Sequence, residues 1–187
     1  MDILIIVIAG VILIGLAIAW IYNGLVKLNE RVNEAWSDIT VQLKYRADLI
    51  PNVVETVKGY AKHEKSAFED VTKARASVMS AKTVKGAAEA EDALTAGLSK
   101  IFAIAEAYPE LKANENFKTL QGQLQDVEDK IQAARRFYNN GAKDLNTKIK
   151  LFPTNLFAKH LGFKTREYFE VKAEEMAKIE NAPEVKF

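Results

Sequence analysis

The chain has 187 residues with 26 Lys and Arg against 25 Asp and Glu, a balance that leaves no electrostatic footprint for nucleic acid. It contains no cysteine, which excludes disulfides, thiolate metal sites and cysteine nucleophiles together. Four prolines and nine glycines leave room for long helices.

Residues Ile3 to Ile21 read ILIIVIAGVILIGLAIAWI, without a charge. About twenty such residues at about 1.5 Å rise cross a bilayer core of about 30 Å. A cleaved signal peptide is the competing reading, since Ala17-Ile18-Ala19 resembles a cleavage site. The run lacks a basic flank, with only Asp2 before it, and it exceeds a usual signal core, so a retained anchor over 1–22 is expected. Trp20, Tyr22 and Lys27 then fall at the membrane interface, the aromatic pair as a belt. Lys27, Arg31, Lys44 and Arg46 follow the span and no Lys or Arg precedes it. By the positive-inside rule the N-terminus lies outside and the remainder in the cytoplasm. Gly15 and Ala19 form one small-xxx-small pair, which either packs against another span or simply faces lipid.

Helical periodicity continues past the span. Leu25, Leu28, Val32, Trp36, Ile39, Leu43, Ala47 and Ile50 recur at spacings of three and four, with Trp36 expected in the core. Pro51 is expected to stop or turn this helix, because proline removes a backbone donor and restricts its predecessor. A second stripe holds Val54, Val57, Ala61, Phe68, Val71, Arg75 and Val78, and fades into the small polar stretch Ser80 to Gly86. A third segment from about Ala87 carries Leu94, Leu98, Ile101, Ala105 and Tyr108, and ends at Pro109.

The fourth segment is the longest. Phe117, Leu120, Leu124, Val127, Ile131, Ala134, Tyr138, Leu145, Ile149 and Phe152 keep near a seven-residue repeat, the period of side-by-side helix packing. Asn139-Asn140-Gly141 is a break signal, yet the stripe stays in phase beyond it, so one helix is expected. Asn155 to Gly162 read as a short apolar helix with a glycine stop, and Arg166 to Phe169 as a segment packing back. The tail from Val171 reads as charged and helical, fraying from Asn181. The expected architecture is all-α. An N-terminal transmembrane helix continues into an antiparallel four-helix bundle over 23–170, and a charged tail completes the chain over 171–187.

Reactive chemistry is scarce. His63 and His160 are the only histidines, His63 among charged neighbours and His160 before a helix stop, and neither belongs to a metal-binding pattern. Glu174-Glu175 and Glu128-Asp129 are acidic pairs, but no Glu has a His three residues later, as a di-iron bundle would need. No phosphate loop or nucleophile elbow is present. The chemically informative residues are polar ones on or beside the apolar stripes: Arg46, Asp48, Arg75, Glu128, Arg135, Asn139 and Asn146. They either form an internal polar network that fixes helix register, or snorkel at the stripe edges with their heads in water.

Several motifs in order carry a family resemblance. They are Tyr22-Asn23-Gly24-Leu25-Val26, Val32 to Ile39 (VNEAWSDI), Arg46 to Asn52 (RADLIPN), Val57 to Ala61 (VKGYA), Ala74-Arg75, Tyr108 to Ala113 (YPELKA), Glu128 to Asn139 (EDKIQAARRFYN), Asn146 and Phe152-Pro153. Over nearly its whole length the chain resembles the LemA family. The resemblance implies a bacterial, all-helical protein held in the cytoplasmic membrane by one N-terminal span, and it transfers no catalytic residue. The expected function is a membrane-anchored interaction scaffold without catalysis, with no cofactor, metal or nucleic acid. Its partners are the bilayer and other membrane proteins or a second copy of itself. The competing reading is a self-assembling structural protein using the span and the long helices.

Overall fold

The structure, a computed structural model, describes residues 2–170. The expected tail helix and the pair Glu174-Glu175 lie outside the described residues. Among the described residues the chain is all-helical, with no strand. In chain order the helices are α1 Asp2–Lys58, α2 Lys65–Ser80, α3 Val84–Ala107, α4 Pro109–Ala113, α5 Glu115–Lys150 and α6 Thr154–Phe157.

Helix α1 runs unbroken for 57 residues. Its first twenty residues bury nothing, and the segment is long and apolar enough to cross a membrane. Burial begins at Ile21 and continues through Leu25, Val32, Ile39, Leu43, Ala47, Ile50, Val54 and Val57, one stripe at helical spacing. Trp36 is half-buried, and its neighbour Ala35 is the fully buried residue of that turn. The indole instead lies tilted across the ring of Tyr138 at 5.9 Å.

Pro51 does not end α1, contrary to the sequence expectation, and the helix continues to Lys58. Proline removes the N–H that would bond the carbonyl of Ala47, four residues back. Arg75 of α2 donates its Nε–H to that carbonyl at 2.8 Å. The lost main-chain bond is replaced by a side chain from another helix, which satisfies the orphaned acceptor and lets the helix pass its proline.

The remaining boundaries obey local chemistry. Thr83 caps α3 by accepting from the Gly86 N–H at 3.0 Å. Pro109 opens α4, and Asn114 caps α5 by accepting from Phe117 N–H at 3.0 Å. Helix α5 passes through Asn139-Asn140-Gly141 as the in-phase stripe predicts. Phe152 lies beyond its end and is exposed, so the seam stops short of that residue. The turn after α6 closes on Gly162 at φ +84°, with Phe163 N–H on Ala158 O and Gly162 N–H on Lys159 O. These are the paired bonds of a glycine helix stop.

The described residues form two compact units, one of 2–40 with 133–167 and one of 41–132 with 168–170. In the second, α2 and α3 come close at Gly97, where an added Cβ would stand 3.2 Å from Val71 Cα. In the first, Gly141 of α5 faces Val32 of α1.

Candidate functional site: a buried charge cluster and an amide clasp

The second unit holds a buried charge cluster. Arg46 on α1 stands on the apolar stripe and is 5% exposed. Its Nη1 donates to Oε1 of Glu91 on α3 at 2.7 Å. The same nitrogen lies 2.7 Å from Oε2 of Glu128 on α5, close but off the N–H direction, so that contact is electrostatic. Glu128 Oε1 accepts from Gln132 at 3.1 Å, and Thr95 Oγ1 lies at hydrogen-bond distance from Glu91 Oε1. Burial lowers the Arg46 pKa from its ordinary value, and Glu128 opposes that shift. The guanidinium nonetheless stays charged at neutral pH. One cation among two carboxylates leaves an excess negative charge, and the buried Nε–H of Arg46 has no partner. A cavity of about 330 Å³ adjoins the cluster, lined by Arg46, Glu128, Gln121, Gln125, Phe102, Leu98 and Leu124. These groups supply charge and amide hydrogen bonding. The lining contains no hydroxyl, imidazole or thiol to act as a nucleophile or base.

Beside it, Arg75 pairs with Asp48 at 3.8 Å while its Nε holds the Ala47 carbonyl. Both side chains are partly exposed, so the main-chain bond is the stronger structural contribution of Arg75.

The first unit uses neutral chemistry. Asn146 on α5 donates Nδ2–H to Arg166 O at 2.8 Å and accepts Arg166 N–H on Oδ1 at 2.7 Å. One amide thereby satisfies both main-chain groups of a residue in an irregular segment. Arg166 Nη2 donates to Oδ1 of Asn29 at 2.9 Å and of Asn33 at 2.8 Å, both on α1. Tyr138 donates its hydroxyl to Glu167 O at 2.9 Å. Burial raises the Tyr138 pKa, with Arg166 opposing it. This clasp ties the 166–167 segment to α5, and its Arg166 arm ties it to α1.

The sequence candidates therefore fall into separate groups: Arg46 with Glu128, Asp48 with Arg75, and Asn146 with Arg166. Arg135 and Asn139 lie half-buried on α5 in the first unit. Of the interface residues, Trp20 is 73% exposed with Lys148 Nζ 5.2 Å from its ring centre. Tyr22 meets Phe163 edge-on at 5.9 Å, and Lys27 is exposed. Among the described residues no group of three His, Asp or Glu side chains comes together as a metal site requires.

Sequence reasoning missed Glu91, Arg166, Asn29 and Asn33. Glu91 had a signal, since it precedes Leu94 by three and Leu98 by seven and so rides the α3 stripe. The Arg166 partners had none, because Asn29 and Asn33 are more than 130 positions away along the chain.

Residues 35–187 match the family model described as LemA family. The chain belongs to the LemA family. This LemA-family chain is 25% identical to the magnetosome proteins MamQ 1 and MamQ 2 of Paramagnetospirillum magneticum. It is 26% identical to the magnetosome protein MamQ of Magnetospirillum gryphiswaldense. Each comparison covers 81% of this LemA-family chain and 65% of the relative, so the chain spans about two thirds of the length of these relatives.

Proposed function

We propose that this chain is a single-pass membrane-anchored interaction module that binds other proteins and catalyses no reaction. Its helices 23–170 act as an antiparallel bundle, with the N-terminus outside and the bundle in the cytoplasm of a bacterium. The observation that carries this reading is the unbroken passage of α1 from twenty exposed apolar residues into a buried stripe. A helix without a hinge holds its own buried stripe close to the lipid surface, and tethering raises the effective concentration of partners in the same membrane. The relatives' names point the same way, since they name a cellular structure and no reaction. The two polar clusters serve register and packing in this reading.

The test is photocrosslinking of the full chain in its native membrane, then co-purification. Discrete heterologous partners are expected. Reproducible turnover of a substrate, abolished by Arg46→Met in a folded protein, would end the reading. Self-assembly through the span is the second reading. It is favoured by Gly15, beside which nothing approaches within 4 Å of an added Cβ. Light scattering in detergent separates the two, since self-assembly requires a defined mass above the monomer that falls when Gly15 is replaced by Leu.

A further inference from the structure

Outside the span, the corner after α5 carries the most exposed large apolar side chain of the described residues, Phe152, at 79%. Leu151 and Leu156 beside it are 54% and 55% exposed. Burying these groups in protein would have cost the chain nothing, so their exposure calls for an occupant. Charge makes the second observation. Between Asp144 and Glu167 there is no acidic residue, while Lys148, Lys150, Lys159, Lys164 and Arg166 fall in that interval. Among the described residues none of the four lysines enters an ion pair with a carboxylate. Position makes the third. Ile21 is the first buried residue of α1, so lipid gives way to protein there. The corner sits at that level, with Lys148 Nζ over Trp20 and Phe163 against Tyr22. A cavity of about 540 Å³ opens beside it, lined by Asn29, Lys164, Thr165 and Arg166 along with the glycine stop.

We propose that the 148–164 corner is a second membrane contact, which dips Leu151, Phe152 and Leu156 into the interfacial layer and gathers anionic lipid headgroups with its lysines. An apolar tip ringed by unpaired cations matches an anionic leaflet on both of its chemistries. The aromatic pair Trp20 and Tyr22 fixes the depth, since such rings reside at headgroup level. The inference rests on the anchor reading above, because the depth of the corner is set by where α1 leaves the lipid. Its consequence is two-point attachment, which restrains rotation about the α1 axis that a single span leaves open.

The chain has no cysteine, so one introduced cysteine takes one label. The full chain is reconstituted in nanodiscs of phosphatidylcholine with or without 30% phosphatidylglycerol. An environment-sensitive fluorophore is placed at Leu156→Cys or, separately, at Leu13→Cys, and quenching by shallow nitroxide lipids is measured. The expected result is quenching of the Leu156→Cys label at least twofold stronger in anionic discs than in neutral ones. That difference should vanish when Lys148, Lys150, Lys159 and Lys164 are all replaced by Gln. A Leu13→Cys label quenched in both discs while the Leu156→Cys label is untouched overturns the inference and leaves the anchor standing. Equal quenching of Leu156→Cys in both discs overturns it as well, because charge would then play no part. A Leu156→Cys label shielded from aqueous iodide but not quenched by nitroxide lipid means that a second protein covers the corner, which also overturns it. An unquenched Leu13→Cys label with a quenched, charge-dependent Leu156→Cys label sinks the anchor and supports the corner as a peripheral lipid site.

Discussion

The two compact units face the same problem and meet it with different chemistry. Each must place polar groups inside helices whose buried faces are otherwise apolar. The second unit buries charge, one guanidinium between Glu91 and Glu128. The first unit buries neutral amides, with Asn146 reading the main chain of Arg166 and Tyr138 reading that of Glu167. The difference lies in the cost of failure. A buried charge stripped of its partner keeps its full desolvation penalty, whereas a stripped amide leaves a neutral group unsatisfied. The charge cluster therefore punishes misregistered helices far more heavily than the clasp does, while adding less net stability than its short distances imply.

The largest expected effect falls on Arg46. Arg46→Met leaves the buried Glu91 and the half-buried Glu128 facing each other and should lower stability by about 3–5 kcal/mol in urea unfolding of the detergent-solubilised chain. The triple replacement Arg46→Met, Glu91→Leu, Glu128→Leu should recover most of that loss. A triple variant no better than the single one would mean that the charges themselves stabilise the unit, and the contrast with the amide clasp would collapse.

Asn146→Ala should lower stability by about 2 kcal/mol, since both main-chain groups of Arg166 lose their partner in one step. A loss as large as that of Arg46→Met would erase the distinction between the units. Arg75→Met should lower stability by about 1–2 kcal/mol, because it orphans the Ala47 carbonyl that Pro51 already left without its helical donor. In a Pro51→Ala background the restored N–H satisfies that carbonyl, so the loss should shrink to about 0.5 kcal/mol. Equal losses in both backgrounds would place the value of Arg75 in its Asp48 contact instead.

The smallest effect belongs to Tyr138→Phe, about 1 kcal/mol at neutral pH. Burial raises the folded pKa of this phenol above its unfolded value. The neutral hydroxyl's contribution is therefore complete below the unfolded pKa near 10 and is lost as pH rises through the folded value. The wild type should lose more stability than Tyr138→Phe when alkaline unfolding is measured above pH of about 10. Parallel profiles would show that the phenol does not titrate differently on folding.

Much of this molecule was written in local pattern. The apolar run, the stripe on α1, the in-phase passage of α5 through Asn139-Asn140-Gly141 and the glycine stop at Gly162 all arise from periodicity and backbone preference, which act between near neighbours. Arg46, Glu128 and Asn146 were recognisable as polar residues on apolar faces for the same reason. The identity of their partners was not. Glu91 joins Arg46 across 45 positions, and Arg166 reaches Asn29 across 137. Pro51 shows the limit most plainly. Read alone it ends a helix, because it deletes a donor, and only the arrival of Arg75 from α2 supplies the replacement. Sequence determined which residues want a helix and which face wants burial, since those are properties of a few successive residues. Tertiary structure decided which polar groups are satisfied and by whom, because a hydrogen bond needs its two atoms within about 3 Å and only the packed fold sets that distance.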